Sequence, residues 1–341
     1  MTVRFTSLPA ALLIGLLLFS VGCAPAEPVS DLSQGQTGRI YFPSSNPTAK
    51  DLLVGNGPTG RVNIFGTLEF PDGANRPVPA AVILHGISGV TRHYFNMADD
   101  LLDFGFATFV VDSHEPRDIG SVAEAMTGIS YIIRTADAYA ALRLLATHPR
   151  IDRTRIVVIG TSYGGGVTLF AASETFRRKL VGGPERFAAH VAYYPSCWRQ
   201  LERMDSTGAP ILMLLAERDN ITPMAQCRDY GRRMKKDGAS VKTIVYQGAH
   251  HGFDISFLAG RTFPYWPLRN YSECADRFIR LKGDGTWVAP KFGKEADTPE
   301  GFGNLATDCE FGHGTLGGPE GAREQSIADY RAFLKEALRL P

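Results

Sequence analysis

The sequence predicts an α/β protein whose sheet is mostly parallel and is covered by helices on both faces. Short apolar runs alternate along the chain with longer segments whose apolar residues recur at helical spacing. The runs are near-continuous rather than alternately polar and apolar, which is typical of strands buried on both faces. Such sheets carry their functional sites at the carboxyl ends of the strands.

Each predicted strand is a short apolar run, and the first one is also partly alternating and ends in a turn. In chain order the strands are 61–73, 78–86, 106–113, 155–160, 190–195, 209–217 and 241–248. The predicted helices have apolar residues three or four positions apart, and two of them stop at Gly105 and Pro149. They are 94–105, 129–149, 164–176, 224–236 and the amphipathic C-terminal segment 322–340.

Two segments break this pattern. Residues 27–60 are rich in Pro, Gly, Ser and Asn, which predicts a linker and an irregular N-terminal arm before a domain that runs from 61 to 341. Residues 255–321 are dense in Gly, Pro and aromatic residues and predict an irregular excursion. We interpret the excursion as a lid or pocket wall, and the alternative is an ordered surface segment with no role.

Length and charge limit the possible functions. At 341 residues the chain can bury the core of one large α/β domain or of two domains. The net charge of +1 gives no electrostatic basis for binding nucleic acid or an anionic surface. The sequence makes no prediction of the oligomeric state.

Residues 1–26 have the pattern of a signal peptide. Arg4 precedes an apolar segment from Leu8 to Val21, which is short for a membrane span. "SVGC" resembles a bacterial lipobox and predicts lipidation at Cys23, whereas "APA" at 24–26 fits ordinary secretion. We expect an exported protein, periplasmic or anchored to a membrane by a lipid, and the alternative is an uncleaved anchor helix.

Export affects how the remaining cysteines are interpreted. Without Cys23 the chain has an even number of cysteines, and an oxidising compartment favours two disulfides. These cysteines are Cys197, Cys227, Cys274 and Cys309. Three connectivities are possible at this point, and the alternative is a set of buried free thiols.

A candidate nucleophile lies in "RIVVIGTSYGGG". Gly160 and Gly164 flank Ser162 in a G-x-S-x-G pattern that directly follows a buried strand and opens a helix. A sharp strand-to-helix turn strains the central residue and exposes its side chain at the edge of the sheet. The pattern therefore predicts Ser162 as a nucleophile that needs a nearby base.

The acid is expected after a later strand. "ILMLLAERDNITP" places Asp219 just past a strand end, where a carboxylate can hold an imidazole in the required tautomer. Glu217 is the competing acid, and a helix-capping role for Asp219 is the structural alternative.

The base is expected in "VYQGAHHGFD", after the next strand and downstream of both other groups. His250 and His251 are both available there, and His313 is the reserve candidate. Adjacent histidines diverge too far to chelate a metal, and no H-E-x-x-H pattern is present. We therefore predict acid–base chemistry without a metal or cofactor.

An oxyanion needs two backbone donors. The residue after the nucleophile, Tyr163, supplies one N–H, and the other is expected from the loop 86–89 in "VILHGISG". His85 precedes the nucleophile and is expected to order that loop.

Together these motifs resemble the dienelactone hydrolase family of α/β-hydrolases. The resemblance runs from about residue 60 to 255 and rests on "VILHGISG", "FVVDSHEPR", "IDRTRIVVIGTSYGGG", "APILMLLAERDNITP" and "YQGAHHGF". It implies the α/β-hydrolase fold and a triad of Ser162, Asp219 and His251, because the family's base lies in a "GA-x-H-x-F" setting. It also implies oxyanion donors at Ile87 and Tyr163.

The sequence departs from the family at two places. The true dienelactone hydrolases have a cysteine nucleophile where this chain has Ser162, and a glutamate where Gly86 stands here. Both departures argue against dienelactone itself as the substrate. Arg117 could hold a substrate carboxylate, and the alternative is an ordinary salt bridge with Glu115 or Asp118.

The positions of the cysteines favour one pairing. Cys197 and Cys227 each follow a strand end, so they could meet across neighbouring loops. Cys274 and Cys309 would then pair within the excursion and close it as a loop.

The sequence thus predicts an exported serine hydrolase that cleaves small carboxylic esters through an acyl-enzyme. Two alternatives remain open: a serine peptidase or amidase on the same fold, and a catalytically inactive binding lipoprotein.

Overall fold

The computed structural model describes residues 27–292, the backbone of 294–295, and residues 308–341. The signal peptide predicted for 1–26, with its lipidation site at Cys23, lies outside the described residues. No helix in the described part of the chain is long and apolar enough to cross a membrane.

The described residues form one large sheet with the strand order β1-β2-β4-β3-β5-β6-β8-β9. The pairs β1/β2 and β2/β4 are antiparallel, and every other pair in the sheet is parallel. Its strands are β1 (Gly38–Ser45), β2 (Arg61–Glu69), β3 (Val78–Leu84), β4 (Ala107–Asp112), β5 (Ile151–Thr161), β6 (His190–Tyr193), β8 (Ile211–Ala216) and β9 (Val241–Tyr246). The predicted class, a mostly parallel α/β sheet, is confirmed.

Helices cover both faces of this sheet. Alternate residues of β3 belong to different apolar clusters, Val82 to one and Ile83 to the other, because successive side chains of a strand point to opposite faces. One cluster includes side chains of α1, α4, α5, α6 and α7, and the other includes those of α2 and α8. The helices are α1 (Ala49–Leu53), α2 (Arg92–Leu102), α3 (Val122–Gly128), α4 (Tyr131–Leu145), α5 (Tyr163–Phe170), α6 (Glu174–Val181), α7 (Met224–Lys236) and α8 (Ala322–Leu338).

The N-terminal arm differs from the prediction. Residues 27–60 were expected to be irregular, but β1 lies within them and pairs with β2 along its whole length, so the sheet begins at residue 38. An edge strand pairs on one side only and tolerates Pro43, so it lacks the continuous apolar run that marks a central strand.

The segment 255–321 is also more regular than predicted. β10 (Arg261–Tyr265) pairs with β14 (Gly314–Gly318). A second small sheet joins β7 (Arg199–Leu201) to β11 (Ile279–Leu281), β12 (Trp287–Ala289) and β13 (Lys294–Glu295). The excursion is therefore attached to the main domain by strand pairing within its described residues.

The described residues contain two disulfides, one in the main domain and one in the excursion. Cys197 is bonded to Cys227, and Cys274 is bonded to Cys309, which is the pairing that the strand-end positions favour. Both residues of the second bond pack with Trp198 and Tyr271 in a small buried cluster. The first disulfide thus links the loop after β6 to α7, the second closes a loop within the excursion, and the packing of Trp198 joins the two regions.

Candidate active site

Ser162 lies in the sharp turn between β5 and α5. Its backbone has φ 53° and ψ −116°, a region that side-chain-bearing residues rarely occupy. The turn is held in place because the Ser162 N–H donates to Tyr193 O (2.9 Å), and its carbonyl accepts from Gly166 N–H (3.0 Å) and Ser196 N–H (2.8 Å). The strain is therefore balanced by hydrogen bonds from the neighbouring strand loop.

The glycines of the motif are required by close backbone contacts. A Cβ at Gly160 would lie 2.2 Å from Gly164 O, and a Cβ at Gly164 would lie 2.3 Å from Leu84 O. A Cβ at Gly166 would lie 2.5 Å from the ring of Tyr131. Only glycine lets α5 start this close to the strand ends.

Three side chains from separate strand ends are hydrogen-bonded in series. Ser162 Oγ lies 2.9 Å from His251 Nε2, and His251 Nδ1 lies 2.8 Å from Asp219 Oδ2. A carboxylate only accepts, so the imidazole proton is on Nδ1, and Nε2 is left to accept the serine hydroxyl proton. All three residues are buried, with exposed fractions of 9%, 6% and 6%. A serine in this setting can lose its proton to the imidazole as it attacks an electrophile.

The Asp219 carboxylate is fixed by three further donors. Oδ1 accepts from the backbone N–H groups of Ile221 (2.9 Å) and Thr222 (2.8 Å). Oδ2 accepts from the Thr222 hydroxyl (2.8 Å) in addition to His251. These bonds orient the carboxylate towards the imidazole.

The competing candidates lie elsewhere. Glu217 is exposed and accepts from Gly248 N–H (2.8 Å). His250 directs its backbone N–H to Gly317 O (2.8 Å), and its ring does not line the cleft beside Ser162. His313 packs against the ring of Trp266, with a centroid distance of 4.1 Å.

A buried network that was not predicted from the sequence lies behind His251. The ring of Tyr194 packs on the imidazole with a centroid distance of 4.5 Å, and its hydroxyl donates to Asp254 Oδ1 (2.5 Å). His93 Nε2 lies 3.2 Å from the other carboxylate oxygen of Asp254. Burial alone would raise the pKa of Asp254, but His93 and the Tyr194 hydroxyl bring this pKa below its ordinary value. The signal for this network in the sequence was Asp254, the acidic residue three positions after His251 in "HHGFD".

The predicted oxyanion donors lie beside Ser162. Ile87 and Tyr163 both border the cleft at the serine. Within the described residues, neither backbone N–H donates to another protein group. The adjacent Gly86 N–H is occupied, since it donates to Tyr94 Oη (2.6 Å).

His85 orders the loop that carries Ile87, as the sequence predicts. Its Nδ1–H donates to Gly86 O (2.7 Å), while its Nε2 accepts from Ser113 N–H (3.2 Å). Burial, assisted by the Arg134 guanidinium, holds the pKa of His85 well below its usual range. The neutral ring therefore acts as a fixed spacer between two loops.

The cleft has two lobes that meet at Ser162, Ile87 and Leu268. The inner lobe has a volume of about 60 Å³ and is lined by Met126, Trp198, Arg199, Ile221 and Tyr271. The outer lobe has a volume of about 310 Å³ and is lined by Ser88, Thr91, Ile255, Phe257, Tyr265 and Leu316. The excursion thus supplies part of the wall of both lobes. Of the described residues, no group of His, Cys, Asp and Glu is arranged to hold a metal ion.

Arg117 requires a correction. It was expected to hold a substrate carboxylate or to pair with Glu115 or Asp118, but its Nη1 and Nη2 donate to the two carboxylate oxygens of Asp137 at 2.9 Å each. Its Nε donates to Asn46 Oδ1 (2.8 Å), and its side chain is 8% exposed. Arg117 therefore joins α4 to the β4 loop and does not line the cleft.

The chain is similar to several known proteins. The model of the Dienelactone hydrolase family matches residues 64–260. A "Probable 2-oxo-3-(5-oxofuran-2-ylidene)propanoate lactonase" of Bradyrhizobium sp is 25% identical over 214 residues, which are 60% of this chain and 84% of that protein. Cutinase cut1 of Thermobifida fusca is 27% identical over 229 residues, which are 63% of this chain and 66% of the cutinase.

Two solved structures were compared in the same way. A dienelactone hydrolase-like promiscuous phosphotriesterase from metagenomic libraries is 19% identical, with a TM-score of 0.49 over 65% of this chain and 87% of that chain. A thermophilic esterase of Thermogutta terrifontis is 15% identical, with a TM-score of 0.45 over 62% of this chain and 83% of that chain.

Proposed function

The chain belongs to the dienelactone hydrolase family of α/β-hydrolases and is a carboxylic ester hydrolase, and from this premise we propose that Ser162, His251 and Asp219 are its catalytic triad. The observation that carries the proposal is the hydrogen-bonded series from Ser162 Oγ to His251 (2.9 Å) and from His251 to Asp219 (2.8 Å). Each group follows a different strand of one sheet, in the chain order expected for this fold.

In the first half of the reaction, Ser162 Oγ attacks the ester carbonyl as its proton passes to His251 Nε2. The new C–O bond creates a tetrahedral intermediate whose oxyanion is bound by the N–H groups of Ile87 and Tyr163. The intermediate then collapses, the bond to the alcohol breaks, and the alcohol leaves with the proton from Nε2. An acyl-enzyme on Ser162 remains.

In the second half, water attacks the acyl-enzyme. Nε2 of His251 removes the water proton, the oxyanion forms again in the same place, and the carboxylic acid departs as Ser162 Oγ regains its proton. Asp219 stays charged throughout, and its hydrogen bond stabilises the imidazolium in both halves. No step uses a cofactor.

The two lobes of the cleft indicate the size of the substrate. Their walls are mostly apolar, and their volumes of about 60 and 310 Å³ leave room for a small group on one side of Ser162 and a larger group on the other. The serine nucleophile and Gly86 argue against dienelactone as the natural substrate. A Cβ at Gly86 would lie 3.2 Å from Tyr94 Oη and 3.4 Å from Ser162 Cβ, so a side chain at this position would stand next to the nucleophile.

Export is part of the proposal. The disulfides Cys197–Cys227 and Cys274–Cys309 support an oxidising compartment, and the apolar segment within 1–26 supports a signal peptide. The lipobox-like "SVGC" favours a lipid on Cys23 that would anchor the protein to a membrane. Mass spectrometry of the mature N-terminus tests this: a diacylated Cys23 supports the anchor, and an unmodified start after "APA" contradicts it.

Active-site labelling tests the triad most directly. A fluorophosphonate probe should label the wild-type protein at Ser162, and the Ser162→Ala variant should take up no label. Absence of label on Ser162, or labelling that survives the substitution, would refute the proposal.

The paired histidines offer a matched control. His251→Ala should lower kcat/KM on soluble esters by a factor on the order of 10⁴ or more. His250→Ala removes the same side chain one position away and should leave turnover within a few-fold, because that ring does not line the cleft. Equal losses would contradict the assignment.

The substrate class distinguishes the alternative functions. Turnover of matched amides at a rate comparable to that of the esters would favour a peptidase, and no turnover across an ester panel would favour a binding protein.

A further inference from the structure

Large apolar side chains remain exposed around the mouth of the cleft. Among the described residues, six such side chains are exposed and five of them lie in the excursion; four of these five lie on or within four residues of β10 and β14, the strands that carry Tyr265 and Leu316 of the outer lobe. These four, here called the aromatic rim, are Phe257 (72% exposed), Phe263 (45%), Trp266 (73%) and Phe311 (47%). Contiguous exposed apolar surface on a soluble protein usually marks an interaction site.

The aromatic rim is continuous with the cleft. Phe257 lines the outer lobe directly, and so does Tyr265, whose hydroxyl lies 2.7 Å from Ser88 Oγ. Phe263 is two positions before Tyr265 on β10, so both side chains stand on the same face of that strand. The exposed ring of Phe263 therefore lies on the same side of β10 as the lobe but beyond its lining residues.

The far side of the aromatic rim is attached to the same strands. Trp266 follows β10 directly and packs on the ring of His313, with a centroid distance of 4.1 Å. Phe311 and Asn270 exchange both backbone hydrogen bonds, each 3.1 Å long. The rings are thus held at the mouth by strand pairing and backbone hydrogen bonds, although solvent surrounds them.

The charges near the aromatic rim indicate what it can accept. "ISFLAGRTFPYWPLRN", residues 255–270, contains Arg261 and Arg269 and no carboxylate. The carboxylate beside Phe311, that of Glu310, lies 3.9 Å from Arg269 Nε, so a surface of neutral esters meets an ion pair there rather than an isolated negative charge. Any large partner seated there would also cover the opening to Ser162, which favours a partner that is itself the substrate.

We propose that the aromatic rim docks the enzyme on the surface of a water-insoluble ester, polymeric or aggregated, so that esters of that surface enter the outer lobe. The inference rests on the proposed function and names the physical form of its substrate. The rings bury their exposed apolar area against the ester surface, and the cleft beside them receives a chain segment. A soluble short-chain ester reaches Ser162 without this contact.

The test compares soluble and insoluble esters on one set of variants. Phe263→Ser/Trp266→Ser removes two rings that do not line the cleft, and Val54→Ser removes an apolar side chain of similar exposure (54%) in another part of the chain. The substrates are p-nitrophenyl butyrate and a polycaprolactone film. We expect the double variant to keep its kcat/KM on the soluble ester within about twofold, and to lose at least about tenfold in film adsorption and acid release. Val54→Ser should match the wild type on both.

Several outcomes would overturn the proposal. An unchanged film rate would do so, and so would an equal loss on the soluble ester, which would mean that the cleft itself was disturbed. A wild-type dimer that the double variant dissociates would assign the aromatic rim to self-association. Binding to phosphatidylcholine vesicles without adsorption to the film would assign it to a membrane.

The two substrates also separate this inference from the proposed function. A wild-type protein that hydrolyses neither substrate refutes both. Turnover of the soluble ester, with a rate on the film that the double variant does not change, refutes only this inference. Trp266→Ser alone, with its melting temperature measured, separates loss of docking from loss of folding.

Discussion

Acid should destabilise this fold through histidines that are buried in their neutral form. His190 begins β6 in the middle of the sheet, is 0% exposed, and packs near the ring of Phe187. Burial lowers the pKa of His190 from 6.5 to about 3. As the pH falls below 6.5 the unfolded chain therefore takes up a proton that the folded chain does not. The contribution of this ring to stability is complete above pH 6.5 and is lost progressively towards pH 3.

The magnitude follows from linkage. The pKa of His190 is 6.5 in the unfolded state and about 3 in the folded state. Relative to high pH, protonation of this residue in the unfolded chain therefore lowers the free energy of unfolding by less than ~0.1 kcal/mol at pH 7.5 and by about 2 kcal/mol at pH 5.0. His85, also 0% exposed and with a pKa well below 6.5, acts in the same direction. Between pH 7.5 and pH 5.0 the free energy of unfolding of the whole protein should therefore fall by more than the contribution of His190 alone.

Urea unfolding at pH 7.5 and at pH 5.0 measures this effect. The wild-type free energy of unfolding should fall between the two pH values by about 2 kcal/mol more than that of His190→Asn. The comparison is a difference of differences, so any constant effect of the substitution on packing cancels. A variant that loses as much stability as the wild type between the two pH values would refute the argument from burial, and so would a wild type that is more stable at pH 5.0.

Three further predictions concern the scaffold of the site. Removing the second disulfide by Cys274→Ser/Cys309→Ser opens a separation of 35 residues and should lower the free energy of unfolding by about 4 kcal/mol; an unchanged urea midpoint would contradict this. Gly164→Ala places a Cβ 2.3 Å from a backbone oxygen and should abolish soluble expression or activity, so a stable and active variant would disprove the steric argument. Tyr194→Phe removes the hydroxyl that donates to Asp254 (2.5 Å) and should cost about 1–3 kcal/mol of stability. Its kcat should change less than tenfold, because the ring that packs on the imidazole is retained; a larger loss would mean that the hydroxyl acts on the imidazole.

Local signals explain how much of the fold was predictable. The parallel strands are recognisable because a strand buried on both faces is an apolar run, as in β8 and in the second half of β5, from Ile156 onwards. Ser162 was predicted as the nucleophile because its turn needs glycine on both sides, and Asp219 as the acid because it lies three positions past the end of β8. In each case the chemistry and its structural reason lie within a few residues of each other in the chain.

Features that depend on distant partners were not predictable. β1 pairs on one side only and contains Pro43, so nothing in its own composition distinguishes it from a loop. Arg117 pairs with Asp137, twenty positions away, rather than with either acid beside it in sequence. The Tyr194 hydroxyl meets Asp254 sixty positions away. Sequence spacing within one segment carries no information about such contacts.

The histidine pair shows how local pattern and distant contact combine. His250 N–H donates to Gly317 O and Gly317 N–H donates to His251 O, each at 2.8 Å, so the two histidines continue as an extended segment beside β14. Successive side chains of an extended segment point to opposite sides. Since His251 faces Ser162, His250 must face away. The choice between the two rings is therefore fixed by a strand some 65 residues further along the chain, which means that the excursion orients the proposed base as well as walling the cleft.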